Sequence, residues 1–315
     1  MLDAAYVGNV GRHLLQRRSL NAIPYGTRFL PSSIDPTTGN TPLPDNFLRT
    51  LPGYSDIQYI EMASNSNYHA LQTQVNRRFS KRLQFGLSWT WSKSLNLVNG
   101  NNDAVNPFLD YRMRNYGKGN FDRTHNFVLN YTYNLPKLSS ALPNPLVRWV
   151  FDNWDVAGVT SFISGQPLGI GYSLASGADI VGGGGAGVDS RVVLTGNPNL
   201  PKSERTVARH FNTDVVQAPT RADFGIGNAP KDPIRGPGTN VWDVSFYKNF
   251  PFPQNEARRL QLRFEFYNFF NHVSFQGVDT TARFDAAGRQ INGTFGQYTS
   301  SLDARRIVLG AKLYF

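Results

Sequence analysis

Leu83-Gln84-Phe85-Gly86-Leu87-Ser88-Trp89-Thr90-Trp91-Ser92 alternates strictly between large apolar and small or polar side chains. Successive side chains of an extended strand point to opposite faces. This stretch therefore has one greasy face and one wet face. The same period of two returns where Phe127, Leu129, Tyr131, Tyr133 and Leu135 alternate with Asn126, Val128, Asn130, Thr132 and Asn134. It returns again in Leu260, Leu262, Phe264 and Phe266 against Gln261, Arg263, Glu265 and Tyr267. The chain closes on it, with Ile307, Leu309, Ala311, Leu313 and Phe315 set against Arg306, Val308, Gly310, Lys312 and Tyr314. The pattern predicts an all-β chain of antiparallel strands.

Two environments impose that alternation: a soluble sandwich with an inner core, and a transmembrane barrel with lipid outside and a wet lumen inside. Three features favour the barrel. The alternating segments run about ten residues, the length a tilted strand needs to cross a bilayer, whereas sandwich strands are usually shorter. The wet face is mostly Gln, Asn, Ser, Thr and Gly rather than Lys and Glu. Aromatics gather near segment ends (Trp89 and Trp91, Tyr131 and Tyr133, Tyr314 and Phe315), as interfacial girdles require. Composition agrees: charged residues are only 17% and aromatics 13%, with 22 Phe and 14 Tyr. No apolar run approaches the ~20 residues of a spanning helix.

The connections sort by length. Short links are Gly8-Asn9-Val10-Gly11, Ser80-Lys81-Arg82 and Pro251 to Ala257, with a medium one at Lys137 to Val150. Long polar links are Ala22 to Ser66, Leu97 to Arg123, Gly165 to Asn240 and Val273 to Ser301. Short periplasmic turns alternating with long extracellular loops are the asymmetry of an outer-membrane barrel. Threading the chain through these links predicts nine spans: 1–8, 11–21, 67–80, 82–96, 124–136, 151–164, 241–250, 258–272 and 302–315. Leu168 to Leu174 could add a strand or extend the one before it. Nine is odd, whereas single-chain bacterial barrels are even-stranded, and Leu2-Asp3-Ala4-Ala5-Tyr6 has no signal-peptide character. Residues 1–315 are therefore expected to be the C-terminal portion of a longer barrel.

Several phrases resemble the TonB-dependent receptors, in particular the Oar-like group whose plug follows a carboxypeptidase-regulatory-like domain. They are Ala5-Tyr6-Val7-Gly8, Asn67-Tyr68-His69-Ala70-Leu71-Gln72, Arg77-Arg78-Phe79-Ser80 and Thr90-Trp91-Ser92-Lys93-Ser94-Leu95. Further along come Phe121-Asp122-Arg123-Thr124-His125-Asn126-Phe127, Ser164-Gly165-Gln166-Pro167, Phe264-Glu265-Phe266-Tyr267-Asn268-Phe269-Phe270-Asn271-His272 and Leu309-Gly310-Ala311-Lys312-Leu313-Tyr314-Phe315. Their order covers nearly the whole chain. The resemblance implies a 22-stranded barrel around a plug, of which this chain would be roughly the last two-fifths. Signal peptide and plug have no counterpart here. It also implies energy-coupled uptake of a large nutrient (siderophore, glycan or peptide), with an outer-membrane surface or adhesion barrel as the alternative. The implied partners are outer-membrane lipid and lipopolysaccharide, the missing N-terminal barrel and plug, the TonB complex through that plug, and the barrel-assembly machinery. Tyr314 and Phe315 would form the assembly signal.

Other chemistry is thinly represented. There is no cysteine, which excludes disulfides, thiolate metal sites and cysteine nucleophiles. A net charge of +10 is spread over dispersed pairs such as Arg77-Arg78 and Arg305-Arg306, so no nucleic-acid surface is predicted. Gly182-Gly183-Gly184-Gly185 lacks the Gly-Lys-Ser/Thr of a phosphate loop and reads as a flexible external loop. The five histidines (His13, His69, His125, His210, His272) are scattered, with no zinc spacing. Asn99 to Asn106, with Asp103, offers oxygen ligands for calcium without a known spacing and reads better as a solvated loop. Glu61, Asp243 and Glu265 could pair carboxylates, but nothing in the sequence joins them. No cofactor and no enzymatic activity are expected. Arg263, Glu265 and Lys312 share the lumen parity and are expected to form a cross-strand charge ladder.

Overall fold

The computed structural model describes residues 1–252 and 255–315. Eight long strands carry it: β1 Leu2–Ser19, β2 Gln58–Ser80, β3 Leu83–Asn96, β4 His125–Asn134, β5 Trp154–Ile163, β6 Thr239–Phe252, β7 Asn255–Tyr267 and β8 Arg306–Tyr314. Each pairs antiparallel with its neighbours in chain order, giving one continuous meander from β1 to β8. Among the described residues β1 and β8 do not pair with each other, so the sheet is open.

The count is eight rather than nine because Gly8-Asn9-Val10-Gly11 is not a turn. β1 runs straight through it, pairing Gly8 with His69 and Gly11 with Ser66, and only then bulges before Leu14. Gly8 is an interior strand glycine. Without a Cβ it leaves room for the Tyr6 ring, whose hydroxyl reaches Nδ1 of His69 across the strand at 2.6 Å. The odd count on which a missing portion was argued therefore does not stand. β2 also starts earlier than expected, at Gln58, because Gln58–Ser64 pairs with the upper half of β1. At 23 residues β2 is about 75 Å long, so the β1–β2 hairpin projects well past any bilayer.

Register fixes which side chains share a face, since directly opposed residues point the same way. Leu87 opposes Leu129, which opposes Thr160, which opposes Trp242. Val244 opposes Phe266, which opposes Ile307. Leu83, Phe85, Leu87, Phe127, Leu129, Leu260, Leu262, Ile307 and Leu309 consequently lie on one face, as the alternation predicts. Among the described residues no second layer covers that face: Tyr6, Trp91, Ile307, Leu309 and Leu313 all remain exposed. A sandwich would bury them in a dry core.

Aromatic belts cross the same face at two levels. Near the long links, Phe127 meets Phe162 at 5.7 Å between ring centroids, Phe162 meets Trp242 at 5.7 Å, and Trp242 meets Phe270 at 5.4 Å. Near the short links, Trp154 meets Phe264 at 5.8 Å and Trp149 meets Phe250 at 5.7 Å. Tyr131 and Tyr133 join the lower level by register with Phe85 and Leu83. Tyr314 does not belong to a girdle. It opposes Arg259 on the polar face, where its hydroxyl accepts from Arg263 at 3.3 Å.

Links alternate between long and short along the whole meander. The β2–β3 turn is closed by Lys81 and Arg82, both at positive φ (48° and 68°), the twist that a two-residue hairpin demands. The tip of the predicted Pro251–Ala257 link, residues 253–254, lies outside the described residues.

Candidate functional site

The four long links do not hang separately from the sheet. They assemble into a cap with its own core, in which Ile170, Val192, Phe211, Val216, Ile234, Phe284 and Phe295 pack together. Short ladders stitch it: Val193–Leu194 with Val216–Gln217, Pro167–Leu168 with Ile234–Arg235, Phe275–Val278 with Tyr298–Ser301, and Gly171–Leu174 with Thr281–Phe284. Leu168 to Leu174 thus neither adds to the main sheet nor extends β5. It belongs to the cap.

The Gly182–Gly185 run is likewise not a loose loop. A Cβ on Gly183 would meet the carbonyl oxygens of Ile23 and Pro24 at 2.9 and 3.0 Å. The glycines are what allow the first long link to lie directly against the third, where Ile23 and Gly184 exchange backbone hydrogen bonds at 2.7 and 3.1 Å.

An ionic knot centred on Asp189 ties three links together. Its carboxylate accepts from Arg114 Nε at 2.8 Å, Arg191 Nε at 2.9 Å and Asn106 Nδ2 at 3.1 Å. Tyr25 donates its hydroxyl hydrogen to the Asp189 carbonyl at 2.9 Å and accepts from Asn106 at 2.8 Å. Further guanidinium hydrogens go to carbonyls, Arg114 to Ile226 at 2.9 Å and Arg191 to Ala229 at 3.2 Å. Burial pushes the Asp189 carboxyl up, but the Arg114 hydrogen bond and the two guanidinium charges outweigh it and hold the group below its usual range. Beneath the knot, Asp122 is 1% exposed and pairs with Arg235. Arg235 also donates to the Gly165 carbonyl at 3.1 Å, joining the second and third links where they leave the sheet. His210, also 1% exposed, sits in the cap core between the Tyr298 hydroxyl at 2.8 Å and the Arg235 carbonyl at 2.6 Å. The carbonyl can only accept, so Nε2 carries the proton and Nδ1 accepts from Tyr298. Burial holds this imidazole below its ordinary pKa.

A cleft of about 450 Å³ opens beside the knot, lined by Arg17, Asn102, Asp103, Asn115, Arg191 and Lys231 among others. Three cations face one carboxylate there. Lys231 reaches Asn96 Oδ1 at 2.7 Å, and burial lowers its pKa despite the nearby Asp232 and Asp103. The Asn-rich stretch lines this cleft, but its oxygens serve the loop itself. Asp103 accepts from the backbones of Asn99 and Gly100 at 2.8 and 3.0 Å, and Asn106 belongs to the knot.

The other sequence candidates are not brought together. Glu61 pairs with Arg18 at 3.2 Å, Asp243 accepts from the Asn268 backbone at 2.9 Å, and Glu265 accepts from Tyr267 at 3.3 Å. Arg263, Glu265 and Lys312 share the polar face, but no ion pair links them among the described residues. Arg263 instead donates to Gln261 at 2.9 Å and lies 5.5 Å from the Tyr247 ring, and Lys312 lies 4.7 Å from the Tyr314 ring. The expected charge ladder is an amide and cation–π ladder, because Arg263 opposes Gly310 rather than an acid. Phe315, 98% exposed, follows the end of β8, whose outer edge pairs with no strand among the described residues.

An exposed apolar face with two aromatic belts, a polar reverse face and loops sorted by length describe a membrane-spanning sheet. Residues 1–308 match the family described as outer membrane beta barrel domain. The chain belongs to that family. As a member of it, the chain resides in the outer membrane, and outer-membrane barrels carry short turns on the periplasmic side and longer loops outside. Among solved structures it is similar to the outer membrane transporter YddB from Escherichia coli, at 10% identity and a TM-score of 0.41. That match covers 100% of this chain and 30% of the transporter, so the chain spans under a third of its length. No curated protein matches.

Proposed function

We propose that this outer-membrane barrel domain is part of a TonB-dependent receptor of the Oar-like group, and that its cap captures a large nutrient for energy-coupled uptake. The observation that carries this reading is the fusion of four long links into one braced cap on a single side of the sheet. A barrel that merely anchors in the membrane has no need of an ionic knot joining links more than 70 residues apart, as Arg114 and Asp189 are. The cleft beside the knot is a recess of small-ligand size, and its cationic lining suits an anionic group on a siderophore, a sugar acid or a peptide. In this reading the chain performs no catalysis. Its partners are a plug, the TonB complex acting through it, the barrel-assembly machinery, and surrounding lipid and lipopolysaccharide.

The test is uptake by cells expressing the complete protein, with a labelled ferric siderophore, an acidic oligosaccharide and an oligopeptide as probes. Import of one probe, abolished when the proton-motive force is dissipated, is the expected result. Surface binding or adhesion that persists without the proton-motive force, and without import of any probe, would favour an adhesion barrel instead.

A further inference from the structure

Opposite the cap, the link between β4 and β5 folds into a short helix, Pro145–Phe151, with the sequence Pro-Leu-Val-Arg-Trp-Val-Phe. Asn144 caps it, its Oδ1 accepting from the Leu146 N–H at 2.8 Å, and Pro145 starts it with a φ already suited to a helix. The helix is almost wholly apolar and almost wholly uncovered. Leu146 is 72% and Trp149 65% exposed, and Val150 and Phe151 are exposed as well. Leu138 and Leu142 extend the exposed stripe at four-residue spacing toward Leu146. In water such a surface is unfavourable. At a bilayer interface it is what an amphipathic segment with an anchoring Trp presents.

Two recesses adjoin this helix. One, of about 410 Å³, is lined by Leu135, Phe151, Trp154, Phe246, Phe264 and Phe266. Register places the last four on the outward, lipid-facing side of the sheet. The other, of about 670 Å³, is lined by polar groups as well, among them Asn144, Arg148, Asn153 and Lys248. Lys248 lines the polar recess, and its ammonium lies 5.2 Å from the Phe250 ring of that recess and 5.7 Å from the Trp154 ring of the apolar one. Lys248 is occupied, donating to the Asp152 carbonyl. The Arg148 guanidinium makes no hydrogen bond or ion pair among the described residues, and it lines the polar recess.

We propose that the helix lies in the periplasmic interface of the outer membrane and, with β5 to β7, holds one phospholipid of the inner leaflet. An acyl chain occupies the apolar groove, which is continuous with the lipid-facing surface. The phosphate diester sits in the polar recess, where the planar guanidinium of Arg148 matches two phosphate oxygens and the Asn144 amide supplies a further donor. Charge complementarity and the side of the membrane both select this occupant. The site is remote from the cap and does not depend on what the cap binds.

A single spin label is placed by Leu146→Cys in the complete protein, with any cysteine outside these 315 cysteine-free residues replaced by serine, and the protein is refolded into phosphatidylethanolamine–phosphatidylglycerol vesicles. The label should be relaxed more by oxygen than by a water-soluble nickel chelate, as at Leu309→Cys on the outward face and unlike Asn130→Cys on the polar face. A nickel-accessible label at position 146 would overturn the interfacial placement. Native mass spectrometry of protein released from the same bilayers should show one retained phospholipid. Arg148→Gln should lower that fraction about fivefold, the effect of one surface cation on an anionic headgroup, with heat-modifiable gel mobility unchanged. No retained lipid in the parent protein, or equal retention in folded Arg148→Gln, would overturn the lipid site.

Discussion

Replacing Leu129 with Arg tests the outward assignment at its most sensitive point. Leu129 is flanked by Leu87 on β3 and Thr160 on β5. It lies four residues from the cap-side end of β4 at His125 and five from the other end at Asn134. At the usual strand tilt each residue rises about 2.6 Å along the membrane normal. Leu129 therefore sits about 10 Å from one end and about 13 Å from the other, near the middle of an apolar band about 25 Å tall. A guanidinium at that depth costs about 2–4 kcal/mol on the lipid face, a roughly 30- to 1,000-fold loss in the folded ratio by the usual conversion. The next residue provides the control. Asn130 points to the polar face between Gly86 and Val159, where its amide and that of Asn76 lie over Gly86, so an arginine there keeps polar neighbours. Asn130→Arg should cost no more than about 0.5 kcal/mol. The assay is a urea titration of the complete protein folded into phosphatidylcholine vesicles, read by tryptophan fluorescence and gel mobility. Equal costs for the two arginines would refute the facial assignment, and a larger cost for Asn130→Arg would invert it.

Four further outcomes follow from the cap and the carboxyl end. Asp189→Ala strands two largely buried guanidinium groups and should loosen the cap by about 1–3 kcal/mol, seen as faster proteolysis within residues 97–123 and 165–238 while gel mobility stays that of a folded barrel. The same carboxylate titrates below its ordinary range, so its contribution is complete above the usual Asp value of about 3.9 and is lost as pH falls through the lower folded value; cap protection that is flat down to pH 2.5 would contradict the knot. His210 has the opposite partner balance: burial keeps it neutral in the fold, so below about pH 6.5 the opened cap takes up a proton that the closed cap refuses. Amide protection around residues 207–216, taken relative to the intrinsic exchange rate at each pH, should accordingly be lower at pH 5.5 than at pH 7.5, and His210→Gln should remove that difference. Deleting Phe315 from the complete protein should lower the heat-modifiable outer-membrane fraction without reducing export to the periplasm, because an unpaired terminal edge can be recognised by strand addition; unchanged folded yield would leave Phe315 without an assembly role.

The spanning part of the fold was legible because each strand states its environment in its own residues. Leu83 to Ser92 can be assigned to two faces with no knowledge of a partner strand, and register then carries the assignment across four strands. Legibility failed where a residue's role depends on a neighbour remote in sequence. Gly8 reads as a turn residue until Tyr6 and His69 are seen to close over it. Tyr314 reads as a girdle aromatic until parity places it beside Arg263. The cap was missed for the same reason on a larger scale. Its core residues, Val192, Phe211, Ile234 and Phe284, come from short runs with no common period, so nothing in any one run announces a core. Asp189 resembles any loop acid, and nothing in the sequence around Asp122 announces its pairing with Arg235.

The two halves of the molecule answer to different solvents, and their residues divide accordingly. The sheet leaves Leu309, Ile307 and Trp91 uncovered by protein, so its outward face gains its stability only when hydrocarbon replaces water. The cap cannot draw on that. It stands in water, buries Phe211, Phe284 and Ile234 against one another, and satisfies its inner polar groups with a carboxylate, two guanidiniums and an amide. Between the halves lie the staples at the roots of the links, Asp122 with Arg235 and Lys231 with Asn96. These couple the shape of the cap to the upper ends of β3 and β5. A ligand that repositions Lys231 in the cleft would therefore act directly on the upper end of β3, which Lys231 holds through Asn96.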